Sequence, residues 1–131
     1  MNRPGLLALI VSLSLSFLAL PTSPIHAEES PTTPEAVLRV MLGGVEQGDI
    51  GKFTYKAEPE LKARVTKEVM TRLSGSLGPK LKQGYTMTPL GQLKQEGLIT
   101  YLYKIEFKSG ADDVLVRLAI RGSNVAGVFF E

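Results

Sequence analysis

The apolar residues of this chain follow two different periods, and the switch between them near residue 80 limits the fold to one class. Beyond that point they alternate. Ile99, Tyr101, Tyr103, Ile105 and Phe107 fall on one face of a strand, with Thr100, Lys104 and Glu106 on the other. Ser109 to Asp112 supplies turn residues. Val114, Val116, Leu118 and Ile120 then alternate with Leu115, Arg117, Ala119 and Arg121. Gly122-Ser123-Asn124 is a second short turn, and a last strand runs from Val125 to Phe130. Upstream, Leu81 to Leu93 reads as a weaker strand kinked near Pro89 and Gly91, with Glu96-Gly97 closing the first hairpin. The spacing predicts a four-stranded antiparallel meander.

Before residue 80 the period is helical. Thr33-Pro34 is a helix start, a hydroxyl at the N-cap and Pro at the first position. Val37, Val40, Met41 and Val45 form its stripe, with Gly44 on the same face, and Gly48 stops it. Gly44 costs helix stability, so a close approach of another backbone is expected there. Asp49 caps a second helix through about Tyr55, anchored by Phe53, and Glu58-Pro59-Glu60 breaks it. Thr66 caps a third helix whose Val69, Leu73 and Leu77 recur at i, i+4 and i+8, widened by Met70. Gly78-Pro79 is expected to end it. Three helices followed by a meander specify an α+β domain with the helices on one face of the sheet.

The N-terminus bears on compartment and chemistry. Met1-Asn2-Arg3 is a short positive start and Leu6 to Leu20 an apolar run. Pro21 to Pro24 breaks the run, and Ala27 offers a small residue for cleavage. Residues 1–27 are read as a signal peptide, too short and serine-interrupted for a stable membrane span. Residues 28–33 are read as a flexible lead-in and 34–131 as a single domain. The mature protein is expected in the periplasm or outside the cell. It would contain no His and no Cys, since His26 precedes the cut. That removes imidazole and thiol chemistry and soft-metal sites, and leaves stability to packing without disulfides. With Arg3 gone, 14 Lys and Arg face 13 Asp and Glu, too balanced for nucleic acid as a partner. The charge is uneven all the same, net −4 over residues 28–51 and +5 over 52–82. The basic stretch suits a solvated helical face, or a surface meeting anionic headgroups, wall polymers or an acidic partner.

Several residues carry a family likeness. The first helix ends in Val45-Glu46-Gln47-Gly48-Asp49, the third stops at Leu77-Gly78-Pro79, and a tyrosine-rich strand follows. The chain closes on Arg121-Gly122-Ser123-Asn124-Val125-Ala126-Gly127-Val128-Phe129-Phe130. In these the chain resembles the nuclear transport factor 2-like superfamily, shared with SnoaL-like proteins and ketosteroid isomerase, and within it small exported bacterial domains. The resemblance implies a curved sheet wrapping the helices into a cone with an apolar pocket at its open end. Enzymes of that superfamily place Asp, His or Tyr in the pocket. Here processing leaves no His and the first helix has no Tyr, so no catalytic residue is carried over.

Tyr101 and Tyr103, joined by Tyr85 and by Phe53 of the second helix, are the candidate pocket residues. Their rings would line a cavity and the phenols orient a ligand, or they would simply pack in the core. Asp49 is a candidate pocket acid, or the cap of the next helix. Asp112-Asp113 lacks a calcium loop and reads as turn, so no metal and no cofactor are expected. Ser74-Gly75-Ser76 has no visible base, and there is neither a phosphate loop nor a nucleophile elbow. On the far face of the sheet, Leu102 and Leu115 suggest a homodimer surface or scattered leucines. The function expected is non-enzymatic binding of a small apolar or amphipathic molecule, or of an envelope protein. An isomerase- or lyase-type enzyme using a buried acid with tyrosine, and a dimeric interaction module, are the alternatives.

Overall fold

A computed structural model describes residues 33–131. Residues 1–27, expected to be a signal peptide, and residues 28–32 of the expected lead-in lie outside the described residues. Helix α1 (Pro34–Gln47) opens as its sequence dictates: the Thr33 hydroxyl accepts from Ala36 N–H, and Pro34 occupies the first turn. It buries Val37, Leu38, Met41, Leu42 and Val45. Gly48 ends it in the left-handed conformation at φ 68°, and the Asp49 N–H closes onto the Gly44 carbonyl at 2.8 Å. Asp49 in turn caps α2 (Ile50–Phe53) by accepting from Lys52 N–H at 3.0 Å. The close approach expected at Gly44 is present. A Cβ there would lie 2.7 Å from the Phe53 nitrogen and 3.0 Å from the Asp49 oxygen, so glycine lets α2 fold back on α1.

Two features differ from the sequence expectation. Where a break was expected at Glu58-Pro59-Glu60, Pro59 instead starts a further helix, α3 (Pro59–Arg64). Proline suits a first turn as well as it ends a preceding element, and α3 buries none of its own residues, so no apolar period announces it. The described residues thus hold four helices where three were expected. The helix α4 (Lys67–Lys82) also continues through Gly78-Pro79 for another turn. The hydrogen bond that Pro79 cannot donate would go to Gly75, which is exposed and free to be hydrated. Leu77 and Leu81, both buried, hold the last turn to the core, and Gly78 sits against the α1 backbone, 3.7 Å from the Val45 and Glu46 oxygens to an added Cβ. Residues 81 and 82 therefore belong to α4 and not to the first strand.

The sheet is a four-stranded antiparallel meander in the order β1 (Tyr85–Gln95), β2 (Leu98–Phe107), β3 (Val114–Arg121), β4 (Asn124–Phe130). Glu96 and Gly97, both at positive φ (51° and 79°), make the two-residue turn of the first hairpin. The alternation is as the sequence sets it: Tyr103, Ile105 and Phe107 of β2 and Val116 and Leu118 of β3 are buried beneath the helices. Two irregularities reset it. Leu90 is extra in β1 between Pro89 and Gly91, and Ala126 is extra in β4 opposite Ala119 and Ile120. The second bulge lets Val125 point inward and Val128 and Phe130 point inward again after it. Among the described residues no helix is long and apolar enough to cross a membrane.

Candidate functional site

The site is an apolar groove of about 600 Å³ between helices α3 and α4 and the edge strand β4. Its helical wall comes from one flank of α4. Met70, Leu77 and Leu81 bury the core-facing stripe of that helix, while Val69, Leu73, Ser76 and Lys80 recur at i, i+4, i+7 and i+11 beside it. Leu61 and Val65 close one end and Phe53 contributes to the floor. The opposite wall is β4, through Val128 and Phe130. Short ties hold α3 in place against this strand. Glu58 N–H donates to Val125 O and Val125 N–H to Lys56 O, both at 2.8 Å, and Arg121 reaches the Glu58 carboxylate at 3.1 Å.

Past Val125, whose outer side is paired with Lys56 and Glu58, β4 is an open edge. Leu115 and Glu131 exchange both backbone hydrogen bonds at 2.8 Å. By antiparallel alternation, Phe130 and Val128 then direct their N–H and C=O groups away from β3 toward the groove.

Charge lies at the mouth. Arg64, Arg72 and Lys80 line the groove, and among the described residues none of them forms an ion pair. Lys80 sits over the Phe107 ring, 5.9 Å from its centroid. Among the described lining residues the one acidic side chain, that of Glu131, is already bonded by Arg117. No tyrosine lines the groove.

Of the candidate pocket residues read from the sequence, Tyr85, Tyr101, Tyr103, Phe53 and Asp49, the structure brings only Phe53 to this groove. Tyr101 and Tyr103 lie on the inner face of β2, with Tyr103 between Pro89 and Val116 and Tyr101 between Gln92 and Leu118. Tyr85 starts β1 opposite Phe107. They pack into or against the hydrophobic core. Burial raises the Tyr103 phenol above its ordinary pKa, helped by the negative charge of Glu35 and by Tyr101. Glu35 is itself held by Arg39 at 3.0 Å in the first turn of α1. Asp49 is exposed and serves as the α2 cap. No group of three or more His, Cys, Asp or Glu side chains converges among the described residues, and Asp112 and Asp113 are exposed between β2 and β3.

The sequence hides the groove because Val69, Leu73 and Leu77 fall on one apolar stripe at core spacing. The signal was the width of that stripe: with Met70 it covers more of the helix than one packed face needs. On the outer face of the sheet, Leu102 and Leu115 are half-buried, and the large exposed apolar groups are Leu93 and Phe129, with Leu90 at the bulge. Neither a scan against models of known protein families nor a search of curated proteins gave a match.

Proposed function

We propose that this protein is a non-enzymatic binding domain that holds a small apolar or amphipathic molecule in the groove between α4 and β4. One observation carries the reading. An aliphatic and aromatic cleft of about 600 Å³ stands beside a complete core, within the size range of small-ligand sites. Val69 and Leu73 remain only half-buried although they face apolar partners across the cleft, so a ligand there removes apolar surface from water without unpacking the protein. Export after cleavage near Ala27 accompanies this reading and would place the ligand in the periplasm or outside the cell. The helices-then-meander order supports a relationship to the nuclear transport factor 2-like superfamily, in whose fold a curved sheet wraps the helices.

The test is saturable binding of a neutral environment-sensitive dye such as N-phenyl-1-naphthylamine. One dye should bind per chain, and Val69→Glu, which sets a carboxylate in the helical wall, should abolish the fluorescence gain while leaving the melting temperature nearly unchanged. Absence of saturable binding by the unaltered protein would contradict the reading. A second reading, a homodimer through the outer face of the sheet, is favoured by Leu93 and Phe129, 49% and 58% exposed. Sedimentation of the unaltered protein against Leu93→Lys decides it, since only a dimer built on that face dissociates in the variant.

A further inference from the structure

We infer that the molecule held in the groove is a single-chain amphiphile with an anionic head, and that Arg64 and Arg72 receive that head; this rests on the binding reading above and specifies its ligand class. Charge along the groove is unbalanced. Three cations line the groove without an ion-pair partner among the described residues, and the one acidic side chain among the described lining residues, Glu131, is held by Arg117. Such a rim repels a cationic head, is indifferent to an uncharged one, and stabilises a carboxylate.

The three cations are not equivalent. Lys80 lies near the end of α4 and is engaged over Phe107. Arg64 closes α3 and Arg72 lies one turn beyond Thr66-Lys67-Glu68, so both belong to the end of the groove where α3 hands over to α4. Both are exposed overall yet line the groove. Exposure together with a place in the lining suits aliphatic stems laid along the wall and guanidinium groups turned to water, where an anionic head would meet them. Two planar guanidinium forks at one end match a carboxylate better than ammonium groups would.

The tail then has one direction available. From Arg64 and Arg72 the wall continues along α4 through Leu73 and Leu77 to Lys80, facing Val128 and Phe130. The span from Val69 to Lys80 is about 16 Å at the helical rise of 1.5 Å per residue. An extended hydrocarbon chain suits that length, and a compact ring system would leave part of it wet.

The experiment is displacement of the neutral dye by three competitors built on a twelve-carbon chain, dodecanoate and dodecyltrimethylammonium below their micellar concentrations and methyl dodecanoate below its solubility limit. The unaltered protein should bind dodecanoate about three- to tenfold more tightly than the methyl ester, with the ammonium weakest. The double variant R64Q/R72Q should bind carboxylate and ester equally, at the affinity the unaltered protein shows for the ester. Equal affinity for carboxylate and ester in the unaltered protein overturns this inference and leaves the binding reading standing, as does a preference that survives in R64Q/R72Q. Failure of the dye and of all three competitors removes the binding reading and this inference with it. A stable dimer that Val69→Glu disrupts would overturn it as well, because a second copy would then fill the groove.

Discussion

Gly44 and Gly75 sit in helix interiors and carry opposite meanings. At Gly44 the nearest atoms to an added Cβ are backbone, at 2.7 and 3.0 Å, so α1 and α2 must separate to admit it. Gly44→Ala is expected to destabilise the domain by about 1–3 kcal/mol despite the better helix propensity of alanine. At Gly75 an added Cβ meets nothing within 4 Å, and Gly75→Ala should stabilise α4 by up to about 1 kcal/mol. Paired urea titrations check both signs. Tyr103 makes a residue-scale prediction about pH. Its phenol is raised in the folded state by burial first and by Glu35 and Tyr101 next. The unfolded chain therefore loses this proton at lower pH than the folded one. The stability it contributes is whole below the ordinary tyrosine pKa and is lost as pH rises through the folded value. Melting temperature should thus fall above about pH 10, and Tyr103→Phe should flatten that fall. Tyr55, also raised by burial, leaves a residual slope in the variant.

At the scale of elements, the register of β2 is what the sequence stated most plainly, because alternation over Ile99 to Phe107 admits only one face to the core. Ile105 is 1% exposed. Ile105→Lys should cost about 3–5 kcal/mol, comparable with the whole stability of a domain this size, by leaving an unpaired charge in the core. Loss of the cooperative melt checks it, and a variant melting like its parent would contradict the register. Caps at Thr33, Asp49 and Thr66 were legible for a related reason: each is a local hydrogen bond between a side chain and a backbone group three residues on. What could not be read locally was the fate of the prolines. Pro59 starts α3 and Pro79 rides inside α4, and the difference lies in partners far along the chain. Val125 ties the start of α3, and the buried Leu81 keeps α4 winding past its missing hydrogen bond. The bulges at Leu90 and Ala126 belong to the same class. Pro89 and Gly91 hinted at the first, while the second follows from β4 having to bury Val125 and Phe130 on one face.

For the whole molecule, the candidate site was the least legible part, since a groove between two elements has no sequence period of its own. The tyrosines that stood out as pocket residues sit on β2 and at the start of β1, whereas the groove lies at the β4 edge of the sheet. Only Phe53 links the two. The basic excess of residues 52–82 did foreshadow it, because Arg64, Arg72 and Lys80 all come from that stretch and all line the groove. An ionic component at an exposed rim is screened by salt. Raising ionic strength from about 0.01 to 1 M should weaken dodecanoate binding several-fold and leave the neutral dye unaffected, which a pair of titrations reads directly.

Where a ligand lands on the protein tests the groove most directly. Backbone amide shifts followed during titration with dodecanoate are predicted to move along Val65–Lys80 and Ala126–Phe130, and to remain still at Tyr101, Tyr103 and the outer-face Leu93. Shifts confined to the tyrosine-bearing strands, or none anywhere at saturating ligand, would contradict it.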